Sequence, residues 1–131
     1  MKHPLVVNAT SKNVQEVVDK LEAILHSKNI QIFARINHSE GARALGLDLQ
    51  YEEVIIFGDP KVGTYLMQEC PALGLELPLK IVVWQAEKTF IGYRDPKLLL
   101  AEYEISKHRD IIEKMSVLMA NLVHELVAGE H

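Results

Sequence analysis

The fold turns on YEEVIIFGDPKVGTYLMQ, residues 51–68. Its apolar run Val54-Ile55-Ile56-Phe57 has strand character and stops at Gly58. Asp59 is an N-cap residue type, and Pro60 suits the first helical position because its missing N–H would have no partner there. Val62, Tyr65 and Leu66 then recur at helical spacing, and Cys70-Pro71 closes the segment. A buried strand, a short hinge and a capped helix are therefore predicted in one stretch. The strand is the least alternating of the chain, which predicts a central place in a sheet.

Working outward, residues 30–38 alternate. Ile30, Ile32, Ala34 and Ile36 share one predicted face, with Gln31, Arg35 and Asn37 opposite. A half-covered strand of this kind belongs mostly to antiparallel sheets. Ahead of it, Asn13 and Glu16 have capping-box spacing, with Ser11 a competing cap. Val14, Val17, Val18, Leu21, Ile24 and Leu25 form one stripe, so a helix is predicted over 12–28. Leu5-Val6-Val7 predicts a short first strand. Ser39 is expected to cap a short helix over 40–45, ended by Gly46.

Downstream, residues 73–78 read as loop, and 79–85 and 89–93 as strands joined through Ala86-Glu87-Lys88. Asp95-Pro96 repeats the Asp-Pro helix start. Over 107–127, Ile111, Ile112, Met115, Leu118, Met119, Leu122, Val123 and Leu126 make a wide apolar stripe. The expected fold is a single α+β domain over 1–131. It has about five mainly antiparallel strands, helices packed on one face and a long C-terminal helix. That helix is long for so short a chain, and packing it against a second copy is the simplest use of its surplus surface. A homodimer is expected on that ground.

Composition narrows the function. With 131 residues, 48% of them hydrophobic and 24% charged, the chain can bury a core without metals or disulfides. A net charge of −4 disfavours a phosphate-backbone binder, so no nucleic-acid partner is expected. Cys70 is the one cysteine, which excludes an intrachain disulfide and suits a reducing cytoplasm. Met1-Lys2-His3-Pro4 leads into no sustained apolar core, so no signal peptide is expected. No apolar run approaches the roughly 20 residues of a bilayer span, and no membrane partner is expected.

Gly58 and Gly63 have the separation of a phosphate-binding loop, but the motif then needs Lys before Ser/Thr. Here Thr64 follows Gly63 directly, and nucleotide-triphosphate binding of that type is rejected. A weaker anion site survives as an expectation. Lys61, Gly63 and Thr64 at the helix start, with Lys80, would hold a small anionic ligand, although Asp59 competes for the same donors.

The histidines His3, His26, His38, His108, His124 and His131 show no metal-ligand spacing. No metal and no cofactor are expected. His38 is expected to be half-buried and hydrogen-bonded, and Cys70 has no neighbouring histidine to make it a nucleophile. Asp59 and Asp95 read as caps. Trp84 and Phe90 read as cross-strand packing partners.

FGDPKVGT at 57–64, LPLK at 77–80 and YRDP at 93–96 occur in this order, with a helix between the first two blocks and a hairpin between the last two. On these blocks the chain resembles the bacterial and archaeal family called domain of unknown function 302, over roughly residues 5–101. The resemblance implies a compact α+β domain that is often a dimer. It carries over no catalytic residue. The residues favour a non-enzymatic dimeric domain that binds a ligand or partner. The alternative is a hydrolase or isomerase for a small anionic substrate. Lys61, Lys80 or Arg94 would then hold charge, with Asp59 or His38 as base. That requires the groups to converge on one point.

Overall fold

Asn13 shows how local chemistry sets the elements. Its side chain accepts from the Glu16 N–H at 2.8 Å, and the Glu16 carboxylate accepts from the Asn13 N–H at 3.3 Å. That reciprocal capping box starts a 14-residue helix on the expected stripe. The computed structural model describes residues 5–128. In chain order it contains β1 (Leu5–Thr10), α1 (Val14–Ser27), β2 (Gln31–Asn37), α2 (His38–Ala44) and β3 (Glu52–Gly58). These are followed by α3 (Pro60–Glu69), a 3-10 turn (Pro71–Leu75), β4 (Leu79–Gln85) and β5 (Thr89–Arg94). A second 3-10 turn (Pro96–Leu98) runs into α4 (Leu99–Glu102), and α5 (Arg109–Val127) completes the described chain. The 3-10 turn at Pro71 occupies part of the segment expected to be loop.

The five strands form one sheet in the order β1-β5-β4-β3-β2, and every neighbouring pair is antiparallel. The α+β architecture expected from the sequence is the one present. The central strand is β4, however, and β3 is its neighbour. β3 alternates strictly between buried and half-buried residues. Its unbroken apolar run therefore reflects an apolar outer face, not burial on both sides.

β2 departs from simple alternation through a bulge between Ile32 and Ala34. Ile32 stands opposite Phe57, Ala34 opposite Ile56 and Arg35 opposite Ile55. The extra residue, Phe33, reverses the pleat. Beyond it Arg35 faces the helices, while Ala34 and Ile36 face away, contrary to the single apolar face expected. The start of α2 also differs. Asn37, not Ser39, accepts the Glu40 N–H, and the helix begins at His38.

The main core lies between the sheet and two helices. Ile55, Phe57, Ile81, Val83 and Ile91 point from the sheet toward Val17, Leu21 and Leu25 of α1 and Met119, Leu122 and Leu126 of α5. A satellite cluster of Leu66, Leu73, Leu99, Ile105 and Ile112 joins α3, both turns' surroundings and the start of α5. The stripe of α5 is thus spent largely inside its own chain. Three of its members, Ile111, Met115 and Leu118, stay half-buried at its margin.

Candidate functional site

The helices cover one face of the sheet and leave the other bare. The strand registers place that bare face in three rows. One row holds Glu52, Trp84, Phe90 and Ala9. The middle row holds Ile36, Val54, Val82, Gly92 and Val7. In the third, Ala34, Ile56 and Lys80 continue to Arg94 and Leu5. An antiparallel sheet open to water on one side ordinarily alternates apolar-in with polar-out. Here the outward positions are mostly apolar as well, and Val7, Phe33 and Ile36 each keep more than 40% of their surface exposed.

Gly92 shapes the centre of this face. A Cβ there would lie 3.0 Å from Cζ3 of Trp84 and 3.5 Å from Cγ1 of Val82. The missing side chain lets the indole lie across the β5 backbone. Trp84 stacks on Phe90 with ring centroids 5.7 Å apart, the cross-strand pair expected from the hairpin. The polar groups sit at the ends of the face. Glu52 and the two aromatic rings mark one end, and Lys80 and Arg94 the other.

Of the residues expected to hold an anion, Lys61, Gly63 and Thr64 lie together near the start of α3, and Lys80 lies at the start of β4. Asp59 caps α3, accepting the Lys61 N–H at 2.9 Å, with Pro60 at the first helical position. The Thr64 hydroxyl donates to the Pro60 carbonyl at 2.7 Å, inside the same helix. Lys80 Nζ donates to the carbonyls of Glu76 and Pro78, at 3.2 and 2.9 Å. Lys61 is exposed. Gly63 lines one cleft, together with Gly58 and Asp59, and Lys80 lines another, with Glu76, Pro78 and Arg94.

The two residues expected as alternative bases, His38 and Asp59, lie at opposite ends of β3. His38 is exposed, not half-buried, and follows Asn37 at the Glu53 end of β3. Asp59 lies six residues along from Glu53, about 20 Å at strand rise. Arg94 is held by Glu76 and Glu102. Asp95 accepts from the Lys97 N–H and from the Ser116 hydroxyl, as a cap. Cys70 is a free, half-buried thiol at the C-cap of α3. Among the described residues no group of three or more His, Cys, Asp or Glu side chains could hold a metal ion. His3 and His131 lie outside the described residues. No helix among the described residues is long and apolar enough to cross a membrane.

Three further features are built from polar or apolar clusters. Arg35 binds Glu53 through Nε and Nη2, at 2.8 and 3.4 Å, and Asp19 and Glu22 of α1 through Nη1, at 2.7 and 3.3 Å. The Glu53 carboxylate, aided by Asp19 and Glu22, holds this guanidinium above its ordinary pKa. Glu69 accepts from the backbone N–H groups of Ser106, Lys107 and His108 at 2.6–3.2 Å, tying the end of α3 to the approach to α5. The N–H groups of Lys107 and Ser106 are the main cause of its pKa falling to about 2. Third, an apolar cleft of about 370 Å³ runs between α5 and the start of α3.

Sheet and helices define a two-layer α+β domain with an apolar face left open. The chain belongs to the family described as domain of unknown function DUF302, whose model matches residues 6–122. A crystal structure of an uncharacterized conserved DUF302 protein from Bacillus stearothermophilus superposes with a TM-score of 0.82. It shares 20% identity and covers 96% of this chain and 99% of that one. At that identity the likeness concerns the fold. Curated relatives in Brucella are named fluoride-specific ion channel FluC 1 (Brucella suis) and FluC 2 (Brucella melitensis). Each is 31% identical over 128 residues, 96% of this chain. The chain spans about half the length of these relatives, 50% and 47% respectively.

The outer face is what sequence patterning missed. Its signal was present in LKIVVWQ at 79–85 and in VIIF at 54–57, where apolar residues occupy consecutive positions. Such runs also fit strands buried on both sides, and patterning does not separate the two cases.

Proposed function

We propose that this chain is a non-enzymatic assembly domain that pairs with a second copy through the bare face of its sheet. The observation that carries this is the apolar middle row. Five strands at about 4.8 Å spacing and about 20 Å length give a flat projection of roughly 480 Å². Side-chain relief raises the accessible area above that projection, toward the roughly 800 Å² per partner of a standard interface. Two such sheets packed about 10 Å apart would form a four-layer α/β/β/α sandwich.

The polar ends favour one arrangement. A twofold axis crossing the strands at right angles lays the Glu52–Trp84–Phe90 row of one copy over the Lys80–Arg94 row of the other. Glu52 then approaches Lys80 of the second copy. Trp84 and Phe90 lie over cations, which the negative faces of aromatic rings attract. The interface is self-complementary, as a twofold requires.

Sedimentation velocity tests the proposal. The wild-type chain of 14.8 kDa is expected to sediment at twice its mass, and Val82→Lys at its own mass with an unchanged circular dichroism spectrum. A wild-type monomer throughout the micromolar range would refute it.

A second reading starts from the Brucella proteins, whose name is that of a fluoride channel and about half of which resembles this chain. A pore would lie in their other half, since no described helix here can cross a membrane. The domain would then act as the assembly module of channel-bearing chains, with no fluoride site of its own. Fluorine NMR of the purified chain with sodium fluoride is expected to show no saturable binding. Saturable binding would contradict an assembly-only role.

A further inference from the structure

We propose that the cleft between α5 and the start of α3 binds a medium-chain carboxylate, with its tail among apolar side chains and its head on Lys114. The site is separate from the bare sheet face. One wall is the margin of α5, where Ile111, Met115 and Leu118 recur at helical spacing and remain half-buried. The other wall is built from Val62, Leu77 and neighbouring strand ends. At about 370 Å³ the cleft falls near the lower end of small-molecule sites, which run from about 300 to 1,000 Å³, and is too small for a partner helix.

Charge selects the head group. Among the described residues, two charged side chains border the cleft, Asp59 and Lys114. Asp59 already accepts the Lys61 N–H as a helix cap. The Lys114 ammonium makes no hydrogen bond or ion pair among the described residues, so it is the charge left for a ligand. Ile111 to Leu118 spans about 10 Å at helical rise, the length of an extended chain of roughly eight carbons. Met115, unbranched and polarisable, adapts its shape to such a tail. A linear tail with one anionic head therefore satisfies both the walls and the free charge.

The test is a titration of the full chain with sodium octanoate below its micellar range, read from methyl and amide NMR spectra. Saturable shifts are expected at Met115, Leu118, Val62 and Gly63. Lys114→Glu should weaken octanoate by about tenfold or more, the equivalent of one charge-assisted hydrogen bond of about 1.5 kcal/mol. Lys114→Arg should bind within a few-fold of wild type. Lys114 is exposed, so neither variant threatens the fold. Three results would each overturn the proposal: no saturable shift at the cleft, equal binding of octylammonium, or shifts confined to Val82 and Trp84 on the sheet face.

Discussion

Replacing Arg35 with Met should cost more stability than its place on an edge strand would indicate. Arg35 faces the helices because of the bulge at Phe33, and it neutralises Glu53, whose side chain is only 8% exposed. Breaking a fully buried pair from one side costs about 3–5 kcal/mol, because the remaining charge is left without a partner. The Arg35 side chain is 27% exposed, so water reaches this pair and the expected loss is lower, about 2–3 kcal/mol. For a domain of this size that corresponds to a fall in Tm of roughly 6–10 °C. Removing both charges, Arg35→Met with Glu53→Leu, leaves no buried orphan, since Asp19 and Glu22 are open to water, and should return the protein to within about 1 kcal/mol of wild type. Urea melts followed by circular dichroism, at one fixed protein concentration because self-association adds to apparent stability, measure all four corners of the cycle. A single-variant loss under about 0.5 kcal/mol, or a double variant less stable than Arg35→Met, would refute the reasoning.

Two other perturbations have signs fixed by the geometry. Gly92→Ala places a Cβ 3.0 Å from the Trp84 ring, so the indole must shift. A loss of about 1–3 kcal/mol is expected, with a changed near-ultraviolet dichroism band. An unchanged band would show that the ring does not depend on Gly92. Glu69 has a folded pKa of about 2 against an ordinary value near 4.5. Its clamp on residues 106–108 therefore stabilises the fold fully above pH 4.5 and is lost as the pH falls from 4.5 to 2. Glu69→Gln should melt below wild type at pH 6, and the two curves should converge near pH 2. A constant gap across that range would contradict the assignment.

Much of the fold was legible because local chemistry and tertiary packing agree. The Asn13–Glu16 box and the Asp59-Pro60 start both specify helix ends through donors that have no other partner. The Trp84–Phe90 pairing followed from the spacing of the hairpin. Where reading failed, a single residue changed the periodicity. Phe33 is an ordinary strand residue, and nothing in its neighbours marks it as the extra one in a bulge, yet it decides which side of β2 faces the core. The wide stripe of α5 pointed to surplus apolar surface. The surplus lies instead on the sheet, because the stripe covers the inner face of that sheet and α1 beside it. The helix leaves only the margin that walls the cleft. Around the expected anion site, Asp59, Thr64 and Lys80 are each bonded to nearby backbone groups, which spacing alone did not show.

The pairing of bare sheet faces is tested most directly by isotope-filtered nuclear Overhauser spectra on a mixture of carbon-13-labelled and unlabelled chains. Within one chain Trp84 and Ile56 are separated by two rows, about 13 Å along the strands. Across the proposed twofold they are neighbours. Intermolecular contacts are expected from the Trp84 ring to the Ile56 methyls, and between Val82 methyls of the two copies. A dimer whose intermolecular contacts arise from Val117 and its neighbours on α5, with none from Trp84 or Val82, would contradict the assignment of the interface.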